Sequence, residues 1–284
     1  MTRLLALAVV SVLVLGVAAC GGDDDGGEPA VVSLESAPAG EGRFELTVPE
    51  SVEAGLVRLE FRNGTEDVAE AQLIRVDDEQ SIEEVLTVIA AEDGKIPDWL
   101  HAEGGVGGTT QGESRAAELV LEEGSYYVVD TGEPEGDDVQ SHAENGATAV
   151  LEVSGGDDGE LPEVDARIEM ADYNFVTEGL KAGANRFLLS NTGDELHHTI
   201  MFPVNEGATT AELREFFTSD GQPSGPPPID FEGIESTSVL DGGAEQIDEL
   251  ELAAGRYAFV CFITDRAGGP PHVAKGMLRE VTVE

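Results

Sequence analysis

The order of segments in the first half of the chain returns in the second half, and a long-period recurrence of this kind commits the chain to two units of one architecture. Val52-Glu53-Ala54-Gly55 leads into Val57-Arg58-Leu59-Glu60-Phe61-Arg62-Asn63 and then Ala71-Gln72-Leu73-Ile74-Arg75-Val76. Leu180-Lys181-Ala182-Gly183 leads likewise into Arg186-Phe187-Leu188-Leu189-Ser190-Asn191 and then Thr199-Ile200-Met201-Phe202-Pro203-Val204. Each unit continues with Ser/Thr-x-x-Glu before an apolar-periodic stretch (Ser81 to Glu84, Thr209 to Glu212), the capping-box signature of a helix start. Each then runs through a Gly/Pro-rich loop to a strand, a glycine turn and an aromatic strand (Tyr126-Tyr127-Val128-Val129-Asp130; Tyr257-Ala258-Phe259-Val260-Cys261). Closing strands follow at 148–153 and 278–283. Alternation with period two predicts half-buried strands of a β-sandwich in each unit, hence an all-β chain with one short helical insert per unit.

The termini of the units follow from composition. Arg3 is the only charge before residue 20, residues 4–19 are apolar, and Val17-Ala18-Ala19-Cys20 closes the run with small residues. This predicts a lipoprotein signal peptide at 1–19 and a lipidated Cys20, since the apolar run is shorter than the ~20 residues that span a bilayer. Residues 20–42 then read as a flexible acidic tether, 43–154 as domain 1, the glycine- and acid-rich 155–163 as a linker, and 164–284 as domain 2. The expected location is extracytoplasmic, held at the cell membrane through the lipid alone. With 15 Lys+Arg against 58 Asp+Glu the net charge is −43, which repels nucleic acid and favours partners with a basic face.

The soft-metal ligands of the second unit fall at telling places: His198 before the Ile200 strand, Cys261 at the end of the aromatic strand, and His272 and Met277 before the closing strand. A thiolate, imidazoles and a weak thioether together suit a copper ion that cycles between Cu(I) and Cu(II). His197 and His198 are neighbours, so on a strand they face opposite sides and only one reaches the interior. Strand geometry leaves both open.

Over most of residues 166–284, the segments His198-Thr199-Ile200-Met201-Phe202, Tyr257-Ala258-Phe259-Val260-Cys261 and His272-Val273-Ala274-Lys275-Gly276-Met277 make the chain resemble the type 1 copper proteins of the cupredoxin family. The resemblance implies two tandem cupredoxin-like Greek-key sandwiches. It also implies one type 1 copper in domain 2, with His198, Cys261 and His272 as strong ligands and Met277 axial, and single-electron exchange with a partner such as a cytochrome. The resemblance implies His198 from its distance to Ile200 and Phe202, with His197 as the substitute. The Cys261-to-His272 loop, with Gly268-Gly269-Pro270-Pro271, is longer than in the small members. Multicopper oxidases and two-domain nitrite reductases resemble the layout, but they place a histidine beside the cysteine, where this chain has Val260 and Phe262. Catalysis is therefore not the expected role. Copper storage or delivery through the same ligands, and a metal-free envelope binding module, are the alternatives.

Laying the first unit on the second puts Glu70 opposite His198, Asp130 opposite Cys261, His142 opposite His272 and Ala147 opposite Met277. Such a set suits a harder ion such as Zn²⁺ better than type 1 copper. Without a thiolate, domain 1 reads as a site that never formed or has decayed, and as a spacer or docking module. His101 reads as a solvated residue of a Gly-rich loop.

Overall fold

The computed structural model describes residues 28–77, 80–91, 94–134, 140–219 and 225–284. The expected signal peptide and Cys20 lie outside the described residues, and among those described no helix is long and apolar enough to cross a membrane.

The chain is all-β, as expected, and forms two β-sandwiches in tandem. Domain 1 comprises β1 (Ala30–Gly40), β2 (Arg43–Thr47), β3 (Ser51–Asn63), β4 (Ala69–Val76), α1 (Ile82–Ile89), β5 (Leu100–Thr109), β6 (Ser114–Leu121), β7 (Gly124–Val129) and β8 (Thr148–Gly156). Domain 2 comprises β9 (Ala166–Ala171), β10 (Asn174–Glu178), β11 (Gly183–Asn191), β12 (Ile200–Pro203), α2 (Thr210–Thr218), β13 (Glu235–Ser236), β14 (Glu245–Leu252), β15 (Gly255–Val260), a 3-10 turn (His272–Lys275) and β16 (Leu278–Val283). In each domain the first strand pairs antiparallel with the second and parallel with the third, and the third pairs with the sixth. The opposing sheet is built on the fourth, fifth, seventh and eighth strands.

Alternation places the cores. In β3, Val57, Leu59 and Phe61 are buried while the charged residues between them turn outward. Ile168, Phe187, Leu189 and Phe259 form the corresponding core of domain 2. Both helices begin as expected, with complete capping boxes at Ser81/Glu84 and Thr209/Glu212. The expected tether is shorter at its end: Ala30–Gly40 is β1, because Val32 and Leu34 are buried against the sandwich and the strand pairs with β3 from Ala30 onward.

The two domains are joined by more than a linker. Ile247, Asp248 and Glu249 of β14 pair antiparallel with Glu118, Ala117 and Ala116 of β6, so one sheet runs through both domains. Arg58 grips Glu249 through two 2.8 Å hydrogen bonds, and both Arg58 and Arg186 reach Glu118. The Gly-rich segment at 104–108 is not a loop but part of β5, and its glycines are the contact face. A Cβ on Gly104 would lie 2.2 Å from the side-chain oxygen of Gln246, and one on Gly107 would lie 2.2 Å from the carbonyl oxygen of Ser236. Gln246 pairs with the backbone N–H and C=O of Gly105, and Gln72 pairs in the same way with Val239, so each domain offers one amide to the other. His101, in β5, bridges Asp77 and Asp241 rather than lying free in solvent.

Arg115 is more deeply buried in this interface than Arg58 or Arg186. It donates to the carbonyls of Gly108 and Ser236 and lies 3.4 Å from Glu235. Burial pushes Asp248 up to about 6 and Glu70 up to about 7, against the pull of Arg115. A folded-state value above the unfolded one gives stability that is complete below the unfolded value and is lost as pH rises through the folded value. Asp248 therefore withdraws about 3 kcal/mol as pH rises from 3.8 through about 6. Burial lowers His197 and His198 to about 4, and their contribution is lost in the other direction, as pH falls from 6.5. The two histidines and the two carboxyls thus act in opposite directions over much the same pH range in metal-free protein. Asp248→Asn should remove a loss of stability between about pH 4 and 6 in urea titrations run from about pH 4 to 8, and an unchanged profile would show that Asp248 is ionised at little cost.

Candidate metal centre

The end of β15 carries Cys261, and the residues on either side of it explain its position. Tyr257, Phe259 and Cys261 face the inter-sheet core, whereas Ala258 and Val260 face a second cluster with Leu213 of α2. The chain then makes the long loop to His272, whose N–H returns to the carbonyl of Ile263, while Val273 donates to Cys261 and Met277 to His272. These backbone bonds fold residues 261–277 into a closed frame that holds a thiol and an imidazole side by side.

The second imidazole is that of His197, not His198. His197 exchanges both backbone hydrogen bonds with Leu240, and His197, Thr199 and Met201 are all fully buried. His198 points to the other face, where its Nε2 accepts from the N–H of Phe262. The choice of His198 failed for a physical reason. Ile200 and Phe202 belong to the cluster under α2, so β12 is covered by apolar groups on both faces and hydrophobicity does not reveal which face holds the metal site.

Among the described residues, one group of three metal-capable side chains converges: His197, Cys261 and His272, all buried. Cys261 Sγ lies 3.8 Å from His197 Nδ1 and 3.6 Å from His272 Nδ1, and the two Nδ1 atoms are 3.0 Å apart. A point equidistant from the three is about 2 Å from each, the length of a bond from a transition metal to nitrogen and slightly short for sulfur. Each ring turns its Nε2 to a carboxylate: His197 to Asp172 at 3.2 Å and His272 to Asp265 at 3.1 Å. With the ring protons donated there, two Nδ1 lone pairs face each other, and a single thiol proton can satisfy only one of them. A cation between them resolves the conflict, so the donor set fits a metal ion.

The surroundings favour the ligand forms of the imidazoles. Burial holds His197 at about 4 and lowers His272, so both rings are neutral at pH 7, while burial pushes the Cys261 thiol up to about 12. Met277 packs in the same apolar cluster as Cys261. Tyr173, in a left-handed backbone conformation (φ 62°), sets its ring edge on His272 and donates from its hydroxyl to Asp265, which Lys275 also binds. Asp172, Asp265, Tyr173 and Lys275 are the neighbours that motif reading missed, because they belong to no ligand spacing.

Domain 1 repeats the frame without the site. Asp130, His142 and Ala147 make the backbone bonds that Cys261, His272 and Met277 make in domain 2. Asp130 itself accepts from Ser36 Oγ at 2.5 Å and pairs with His142 Nδ1 at 2.9 Å, closing the space with an internal ion pair. Ala69, not Glu70, takes the inward place on β4 that His197 has beside β12.

No family model and no curated protein matches the chain. Among solved structures, dithionite-reduced auracyanin from Roseiflexus castenholzii is similar at 22% identity over 42% of this chain and 94% of that one, with a TM-score of 0.27. A copper nitrite reductase from Nitrosomonas europaea is similar at 14% identity over 90% and 94% of the two chains, with a TM-score of 0.28. A multicopper oxidase is similar at 14% identity over 89% and 88%, with a TM-score of 0.23.

Proposed function

We propose that domain 2 holds one copper ion of the type 1 kind, with His197, Cys261 and His272 as strong ligands and Met277 as the weak axial one, and that the protein passes single electrons. The observation that carries this is the buried triangle of one thiol and two facing imidazole nitrogens. Copper supplies a reversible one-electron step in such a set. The chain's own residues keep the geometry constant: Asp172 and Asp265 hold the rings, and the apolar cluster around Cys261 excludes water. Binding requires the Cys261 thiol to lose its proton, so affinity should rise with pH and one proton should leave per ion. The Met170 sulfur already accepts from the Thr199 hydroxyl, whereas Met277 is tied to the ligand frame by its backbone bonds with His272 and Cys261.

We further propose that Cys20 is lipidated and holds the protein outside the cytoplasmic membrane, and that its partner presents a basic face to the net charge of −43. Electron exchange with that partner should slow as salt is added. A carrier role is favoured over catalysis because both side chains next to Cys261, Val260 and Phe262, are without metal ligands.

Titration of the soluble chain with Cu(II) should develop an intense visible charge-transfer band that saturates at one ion per chain and is absent from Cys261→Ser. A colourless or non-saturating titration would overturn the copper site. Asp172→Ala should weaken binding by about 10- to 100-fold in competition titrations, as loss of an outer carboxylate does elsewhere.

A further inference from the structure

Domain 1 contacts the loop between Cys261 and His272. Arg266 places its guanidinium on the carbonyl oxygens of Pro97 (2.9 Å) and Leu100 (3.2 Å), and on Asp241 of its own domain. Its carbonyl accepts from the N–H of Ile96 at 3.0 Å. Two residues earlier, Thr264 donates to the carbonyl of Gly94, and the two are packed so closely that a Cβ on Gly94 would lie 2.8 Å from the Thr264 hydroxyl. Residues 264 and 266 flank Asp265, the carboxylate that holds His272 Nε2.

We infer that domain 1 is a clamp on the metal centre: by fixing Thr264 and Arg266 it sets the position of Asp265, and through Asp265 the orientation of the His272 ring. A free loop of this length would lose conformational entropy on closing around an ion, and the docked domain removes that cost in advance. His197 is held by Leu240 and by Asp172; domain 1 meets that side through the bridge from Glu103 to Leu240 and the bonds of Gln72 to Val239, contacts that use neither Thr264 nor the Arg266 bonds to Pro97 and Leu100. Arg266 is thus a positioning residue that acts through Asp265. The role rests on the copper site proposed above, but its physical content concerns the His272–Asp265 hydrogen bond, which exists without metal.

The test is solvent exchange of the two imidazole Nε2 protons by NMR in the metal-free full chain. In Arg266→Ala the proton on His272 should exchange about tenfold faster, while that on His197 keeps its wild-type rate. Gly94→Ala, made in the other domain, should act in the same direction by pushing on Thr264, and it carries the test if Arg266→Ala does not fold. Unchanged exchange at His272, or equal acceleration at both rings, would overturn the clamp. Failure of wild-type protein to bind Cu(II) would remove the copper site and leave the exchange result standing. If copper binds, both variants should retain one ion per chain with an altered charge-transfer spectrum.

Discussion

His197→Ala should abolish the visible charge-transfer band and weaken Cu(II) binding by more than the ~100-fold that loss of an outer partner produces. His198→Ala, one residue away, should leave both intact. The contrast is large because the two rings stand on opposite faces of one strand segment. His197 offers Nδ1 to Cys261 and His272, whereas His198 only accepts a backbone hydrogen bond from Phe262. Loss of that bond should lower stability by about 1 kcal/mol without touching the metal donors. Spectra and competition titrations of the two variants side by side decide the matter. A colourless His198→Ala alongside a coloured His197→Ala would mean that β12 sits in the other register.

Arg115→Met should cost about 3–5 kcal/mol of unfolding free energy, read from urea midpoints at constant slope. Arg115 is nearly buried between the domains and is the cation that offsets Glu235, Glu70 and Asp248. Removing it leaves those carboxylates without a countercharge and takes the donors from the Gly108 and Ser236 carbonyls. Glu235→Gln in the same background should recover part of the loss, since one uncompensated carboxylate is then gone. A cost under about 1 kcal/mol would show that water reaches the hub and screens it.

The features read correctly from the chain are those set by neighbouring residues. The strand pairs of each sandwich follow from alternation in segments such as Val57-Arg58-Leu59-Glu60-Phe61, and both helix starts follow from Ser81/Glu84 and Thr209/Glu212. Cys261 and His272 were legible because a cysteine ending an aromatic strand and a histidine before the closing strand are unusual in a chain with two cysteines and five histidines. The start of domain 1 was misplaced because Ala30–Gly40 is an outer strand whose polar residues mimic a tether. The glycines of β5 read as a loop because their purpose, the approach of a second domain, lies far away in sequence.

Sequence by itself determined that this chain makes two β-sandwiches and that the second carries a soft-metal donor set, since period-two alternation and residue chemistry are local properties. Tertiary structure decided which of two adjacent histidines faces the thiol, which aspartates orient the rings, and that domain 1 grips the ligand loop. Those outcomes depend on what covers each face of a strand and on contacts between residues such as Pro97 and Arg266. Nothing in either residue's immediate neighbours encodes such a contact; it arises only when two surfaces shaped by the whole fold are brought together.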